Sequence, residues 1–291
     1  MKRSTLARLS SAAGAAALLT TAGAASAQSM LDRYTYTPQT WTGPYVGAFG
    51  GFTKQNGEKD ETLRFDRNLD GAYGDQVSLS GTGANAFSPG FCDGNPYGPT
   101  AAQGCDGDAI GVQAGVRLGY DYQLGRFVVG AVADLSTVDQ EDSVTGFSTT
   151  PASYTFTRTL SSMAAIRARV GYAYGPALAY VTGGYAMGKV DNDFRTSNGA
   201  NTFTARIDDD KADGYQLGGG VEVALAPHVT LTGEYLYASL DAGDHVIRVG
   251  QGTAPATNPF ILAPNTTGTD MIRSNAKFGV HAFNVGLNYR F

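Results

Sequence analysis

The chain has 291 residues, 16% of them charged, with 39 Gly, 16 Tyr and 14 Phe, against roughly 25% charged and about 7% Gly in an ordinary soluble domain. Beyond residue 27 it has no run of ~20 apolar residues, which excludes a helical membrane bundle but not a membrane protein built from alternating residues. The formal net charge of -5 becomes -8 without the first 27 residues, which carry three bases and no acid, and this balance argues against a nucleic-acid partner.

Residues 1–27 read as a secretory signal. Lys2, Arg3 and Arg8 come first, an apolar stretch from Ala12 to Leu19 follows, and Ala25-Ser26-Ala27 places cleavage before Gln28. Residues 28–42 are expected as an N-terminal periplasmic segment. From there the dominant pattern has period 2, the mark of a strand with unlike faces. It predicts eight strands, at 43–54, 110–123, 127–136, 160–173, 177–190, 213–226, 229–238 and 277–291. In the second, Val112, Ala114, Val116, Leu118, Tyr120 and Tyr122 alternate with Gln113, Gly115, Arg117, Gly119 and Asp121. In the last, Phe283, Val285, Leu287, Tyr289 and Phe291 alternate with Asn284, Gly286, Asn288 and Arg290. Each is about long enough to cross a bilayer at a tilt, which takes ~9 to 11 residues.

The connections differ by end. Short, breaker-rich turns stand at 124–126, 174–176 and 227–228, whereas 55–109, 137–159, 191–212 and 239–276 are long. The long ones carry 20 acids and 9 bases, a net charge of -11. A soluble domain has no reason to keep its long loops at one end, but bacterial outer-membrane barrels do. The expected fold is therefore all-β: an eight-stranded antiparallel up-and-down transmembrane β-barrel over residues 43–291, with four long external loops. Cys92 and Cys105, the only cysteines, lie in the first of these loops. Export to an oxidising compartment makes a disulfide between them the expectation.

With the apolar parity facing lipid, the lumen receives Arg117, Arg167, Arg169 and Arg290 together with Asp121, Asp134, Glu222 and Glu234, four of each sign. An eight-stranded barrel is just wide enough for side chains to fill it, and unpaired charges inside would be costly. A neutral paired network that closes the lumen is the preferred expectation. A narrow polar channel between the same residues is its rival.

Other motifs carry little chemistry. Gly183-Gly184-Tyr185-Ala186-Met187-Gly188-Lys189-Val190 imitates a phosphate loop, but Val190 stands where a hydroxyl must reach the metal, and the segment is a predicted strand. Gly81-Thr82-Gly83-Ala84-Asn85-Ala86 lacks the flanking strand and helix of a dinucleotide site. Asp191-Asn192-Asp193-Phe194-Arg195 begins like a calcium loop and then places Arg195 at a ligand position. Asp208-Asp209-Asp210 has no ligand spacing, and the sequon Asn265-Thr266-Thr267 is discounted for a bacterial chain. Neither His245 nor His281 is followed two residues on by Ser, so the His–Ser dyad of lipid-active barrels is not visible. The sequence assigns no catalytic, cofactor or metal site.

Several stretches carry a resemblance: Trp41-Thr42-Gly43-Pro44-Tyr45-Val46-Gly47, Gly130-Ala131-Val132-Ala133-Asp134, Arg167-Ala168-Arg169-Val170-Gly171-Tyr172, Glu234-Tyr235-Leu236-Tyr237, and Gly286-Leu287-Asn288-Tyr289-Arg290-Phe291. As an ordered set they resemble the porin-like outer-membrane proteins of alphaproteobacteria, with an OmpA-like eight-stranded barrel. This chain departs from that pattern in having Val132 where an acid is usual and in the length of its first loop. The resemblance implies location in the outer membrane of a Gram-negative bacterium, contact with its lipid and lipopolysaccharide, and a C-terminal assembly signature, Tyr289 and Phe291, read by the barrel assembly machinery. The functional expectation is a structural or surface-interaction role, an anchor for acidic loops with an unnamed extracellular ligand. A porin for small solutes is the alternative, and a lipid-active enzyme comes third.

Overall fold

The computed structural model of the protein describes residues 40–56 and 60–291. The expected signal 1–27 and residues 28–39 lie outside the described residues. In chain order the strands are β1 (Gly43–Gln55), β2 (Leu63–Asp66), β3 (Gly90–Asp93), β4 (Asn95–Pro96), β5 (Cys105–Asp106), β6 (Gly111–Leu124), β7 (Phe127–Ser148) and β8 (Ala152–Tyr174). They continue with β9 (Ala177–Thr196), β10 (Thr202–Asp208), β11 (Lys211–Ala226), β12 (Val229–Asp241), β13 (His245–Gly250), β14 (Thr269–Arg273) and β15 (Lys277–Arg290).

Eight of these close a ring in the order β7-β6-β1-β15-β12-β11-β9-β8, sealed by β7 against β8, and every neighbouring pair is antiparallel. A closed ring leaves no backbone edge toward lipid, the condition for strands to span a membrane. The turns at one end are only two residues long, Gly125-Arg126, Gly175-Pro176 and Pro227-His228. Gly125 and Gly175 take φ of 62° and 57° there, a conformation open to glycine at little cost. His228 adopts φ 68° without that freedom. Its carbonyl accepts the Arg290 N–H at 2.7 Å and its ring stacks on Tyr289, so the last strand braces the turn.

The outward residues form a lipid-facing band. Val116, Leu118, Leu135, Ile166, Val181, Val285 and Leu287 are exposed across its middle. Tyr120, Tyr122, Phe127, Tyr172, Tyr174, Tyr289 and Phe291 ring the short-turn end, and Phe52, Tyr185, Tyr215, Tyr235 and Phe283 ring the other. Aromatic girdles of this kind mark the two membrane interfaces.

The long external connections hold much more structure than their composition suggests. The stretch 137–159 is mostly strand: β7 and β8 run on past the membrane band as a hairpin, with only residues 149–151 between them. Strands β10, β13, β14 and β2 form a second, four-stranded sheet, and β3 adds to the outer part of β7. With the outer parts of β7 and β8 and the loops between strands they contribute Phe65, Phe87, Val144, Tyr154, Phe156, Val249, Phe260 and Met271 to a separate apolar core outside the membrane band. This head escapes a period-2 reading because its strands are short, and those that are long are covered on both faces; residues 142–147 of β7 are buried without interruption.

Candidate functional site

The barrel interior is a stack of layers, and the inward side of β8 crosses them in order: Ala173, Arg169, Arg167, Ala165 and Met163, then Leu160, Arg158, Phe156 and Tyr154. Ser161 is an extra residue in β8 relative to β9, where the register shifts between Leu160 and Ser162. Below this bulge the inward residues are odd-numbered, and above it they are even-numbered.

At the short-turn end Trp41, the sole tryptophan, is fully buried with Val128, Ala173, Leu178 and Tyr180. Its N–H donates to Gln123 Oε1 at 2.9 Å and its carbonyl accepts from Arg290 at 3.0 Å. The residue lies in the expected periplasmic segment, yet it closes the lower mouth of the lumen.

Above it lies the first charged ring. Arg169 binds Asp121 at 3.5 Å and Glu222 at 2.5 Å, while Arg290 binds Glu222 at 3.2 Å and also Asp121. Two guanidiniums and two carboxylates thus alternate around a square with no net charge. Thr230 donates to Glu222 at 2.6 Å. The guanidinium of Arg169 lies 3.8 Å from the Tyr180 ring centre, and that of Arg290 lies 4.6 Å from Tyr45 and 4.8 Å from Trp41. Gly119 makes this possible, because a Cβ there would strike the Tyr45 ring.

The second ring repeats the plan. Arg117 binds Asp134 at 2.9 Å and Glu234 at 2.8 Å, and Arg167 binds Asp134 and, at 3.8 Å, Glu234. Gly184, in the glycine-rich stretch that imitates a phosphate loop, is the register partner of Arg167, and a Cβ there would collide with the Ile166 carbonyl. Close backbone approach therefore accounts for this glycine. Tyr180 couples the rings: its face lies under Arg169 and its hydroxyl donates to Glu234 at 3.0 Å. The chain's departure from the resembled pattern at Val132 places a buried apolar side chain opposite Arg167, whose charge is met by Asp134 and Glu234.

Above the rings, a cavity among Phe49, Gln113, Met163, Gln216, Leu236 and Asn284 measures about 10 Å³, at the lower limit of what one water molecule needs. An apolar layer including Leu160, Val190, Leu240, Phe278 and Val280 follows.

The sequence reading missed a third ring above that layer. Arg158 binds Asp142 at 2.6 Å, and Arg273 binds Asp142 at 2.8 Å and Glu61 through two bonds of 2.7 Å. Again two bases meet two acids, all buried. Asp142 and Arg158 sit on the parts of β7 and β8 expected as loop, while Glu61 and Arg273 come from segments with no alternation to flag them. Arg158 also donates to the carbonyls of Asn275 and Lys277, tying the hairpin to the entry of β15.

Cys92 and Cys105 are joined as a disulfide that links β3 to β5. Nearby, one carboxylate oxygen from each of Asp93, Asp108 and Asp142 lies within 4.8 Å of the others, the oxygen chemistry a divalent cation uses. Burial, then the charges of Asp142 and Asp93, push the Asp108 carboxyl up to about 7. His245 pairs with Asp208 at 3.1 Å, and burial lowers its pKa. Its Nε2 has no hydrogen-bond partner among the described residues. His281 bonds Tyr235 at the outer girdle at 2.7 Å. Asp191 and Asp193 hold Lys189 and Arg195, each at 2.7 Å, in exposed pairs. At the C-terminus, Phe291 packs edge-on against Tyr289 at 5.1 Å, and its N–H donates to the Pro44 carbonyl.

Residues 15–291 match the family described as outer membrane protein beta-barrel domain. The chain belongs to that family. It is 34% identical over 191 residues to a 31 kDa outer-membrane immunogenic protein of Brucella melitensis, covering 64% of this chain and 69% of the relative. It is 30% identical over 147 residues to a 22 kDa outer membrane protein of Rhizobium leguminosarum, covering 50% and 61%. Among solved structures it is similar to the outer membrane protein OprG of Pseudomonas aeruginosa, with 13% identity, a TM-score of 0.45 and coverage of 86% and 97%. Its place is the outer membrane of a Gram-negative bacterium, and barrels of this kind keep short turns in the periplasm and long loops outside.

Proposed function

We propose that this barrel is a sealed anchor that holds a folded, acidic head at the cell surface, with a structural or surface-interaction role. The observation that carries this reading is the pair of ion-pair rings that cross the lumen, coupled through Tyr180, with an apolar layer of Leu160, Val190, Leu240 and Phe278 between them and a third buried group of two bases and two acids. A porin for small solutes needs an open path, and here Arg117, Arg167, Arg169 and Arg290 each reach a carboxylate on a strand that is not their neighbour in the ring, crossing the lumen. A catalytic role finds no support in His245, which holds Asp208 and nothing on its other nitrogen.

Planar-bilayer recording with the refolded full chain tests the proposal. The expected result is a silent membrane for the wild type. Stable open steps would replace the anchor by a porin, and hydrolysis of lipid A by the same preparation would replace it by an enzyme.

A further inference from the structure

Where the barrel passes into the head, the balance of charge seen in the lower rings is lost. Arg158 and Arg273 are matched there by Asp142 and Glu61, and Asp93 and Asp108 then add two further carboxylates beside Asp142. One oxygen of each of these three aspartates lies within 4.8 Å of the others. They arrive from separate segments: Asp93 ends β3, Asp108 lies between β5 and β6, and Asp142 sits on the outer part of β7. No spacing in the sequence flags them as a group.

Two buried oxygens in the group make no hydrogen bond. Asp142 is fully buried, and its Oδ2 accepts from both Arg158 and Arg273, at 2.6 and 2.8 Å, while its Oδ1 has no partner among the described residues. Asp108 accepts the Ser143 N–H on Oδ1 at 3.1 Å, and its buried Oδ2 has no partner among them either. A desolvated carboxylate oxygen beside other carboxylates is costly unless a cation or a donor meets it. The chain around the group is held in place. Asp93 directly follows Cys92, whose disulfide to Cys105 closes the loop, and it pairs in register with Val144, two residues on from Asp142. The Gly94 N–H donates to the Ser143 carbonyl at 2.7 Å.

We propose that Asp93, Asp108 and Asp142 hold one calcium ion, which pins the first external loop to the wall of β7. Two positive charges offset the two surplus carboxylates and restore the neutrality that the lower rings have without a metal. The ion also gives Asp142 Oδ1 and Asp108 Oδ2 a partner, and water completes its shell from the side where Asp93 and Asp108 are only half-buried. Oxygens in one calcium shell stand up to about 5 Å apart, whereas the smaller, octahedral magnesium shell limits them to about 4 Å and sheds its waters reluctantly. The spread within 4.8 Å suits calcium as it stands. A second acidic turn, Asp66-Arg67-Asn68-Leu69-Asp70-Gly71, has the spacing with which a calcium loop begins, but Val77 stands where the closing Glu belongs, and the Asp66 oxygens already accept the N–H groups of Leu69, Asp70 and Gly71. The proposed site belongs to the head, so it does not depend on whether the lumen conducts.

Titration calorimetry of the refolded full chain in detergent, stripped of metal and held at about pH 8, above the carboxylate range, tests the proposal with calcium chloride as the probe. The wild type should bind calcium with a Kd on the order of 0.1 to 1 mM, the range of extracellular calcium modules, and magnesium at least about tenfold more weakly. Saturating calcium should slow proteolysis between Cys92 and Cys105. Asp93→Asn and Asp108→Asn keep the side-chain shape and remove one ligand charge each, so they should weaken calcium binding at least about tenfold and abolish the protection, while the heat-shifted band on a detergent gel stays intact. Asp70→Asn, in the other acidic turn, should leave both readouts unchanged. No calcium binding by the wild type, undiminished binding in Asp93→Asn and Asp108→Asn, or an equal loss in Asp70→Asn would each overturn the site. Equal affinity for magnesium would overturn its assignment to calcium.

Discussion

Below the Ser161 bulge the protein is polar inside and apolar outside; above it the arrangement is reversed. Arg169 and Arg167 occupy the inward side of β8 in the membrane, while Phe156 and Tyr154 occupy it in the head. The same strand serves both because its surroundings change from lipid to water. Within lipid the outer wall must be apolar, so polar side chains turn inward and have to pair. In water, burial of apolar area becomes the dominant driving force and the interior fills with aromatic rings. The third ring, Arg158 and Arg273 with Asp142 and Glu61, marks the level at which one regime gives way to the other.

The sharpest way to break this contrast is to unpair a lumen charge. Arg167→Ala leaves Asp134 and Glu234 with Arg117 as their one remaining basic partner, and losing one member of a buried pair costs ~3 to 5 kcal/mol. The unfolding midpoint of the whole chain should drop, measured by loss of the heat-shifted band against denaturant. An unchanged midpoint would mean that water reaches these groups freely.

In the head, the corresponding lesion is Phe156→Ala. Truncation of a buried Phe costs roughly 3 to 5 kcal/mol, but here the loss should fall on the head alone. Limited proteolysis should cut within β10 to β14 while the barrel keeps its heat-shifted band. A barrel that unfolds with the head would merge the two regions into one cooperative unit.

Cys92→Ser makes a smaller change to the same region. The disulfide closes a segment with a sequence separation of 13, and its loss should cost about 3 kcal/mol in the chain-entropy model. Proteolysis should increase between Cys92 and Cys105, with the lumen rings and the detergent-gel band unaffected.

The smallest expected effect is a pH dependence confined to the head. A carboxyl near 7 in the folded head and near 4 in the unfolded chain binds more protons when folded. The Asp108 contribution to head stability is therefore fully present at low pH and is lost as pH rises through the window from about 4 to 7. Because Asp108 is partly exposed, the change should be on the order of 1 kcal/mol after solvent screening. Asp108→Asn should flatten the profile, read by proteolysis of the head across that window, and a flat wild-type profile would remove Asp108 as the cause.

The two regions were not equally legible in the sequence. A membrane strand has lipid on one side and a packed lumen on the other, so Val112 to Tyr122 and Phe283 to Phe291 alternate without interruption and their parity can be read directly. Arg158 is hidden because Ser161 changes the parity between it and Arg167. Asp142 keeps the inward parity of Asp134 and Val138, but it lies in the stretch 137–159 expected as loop, and both faces of β7 are buried beyond it. Glu61 and Arg273 lie beside short strands whose pairing partners, β2 with β14, are distant in sequence. Trp41 precedes the first alternating residue, and nothing in its flanking sequence marks it as the lower seal.

The hairpin of β7 and β8 gives the gene two kinds of site for changes in length. Between the periplasmic turn at Gly175 and the bulge at Ser161, one codon lost or gained would reverse the facing of every residue on one side of the lesion, turning guanidiniums toward lipid. At residues 149–151, beyond the last ladder pair of Ser148 with Ala152, the same event lengthens or shortens a tip and rephases nothing. Surface variation can therefore accumulate by insertion at the tip, while the reading frame of facing in the wall stays fixed.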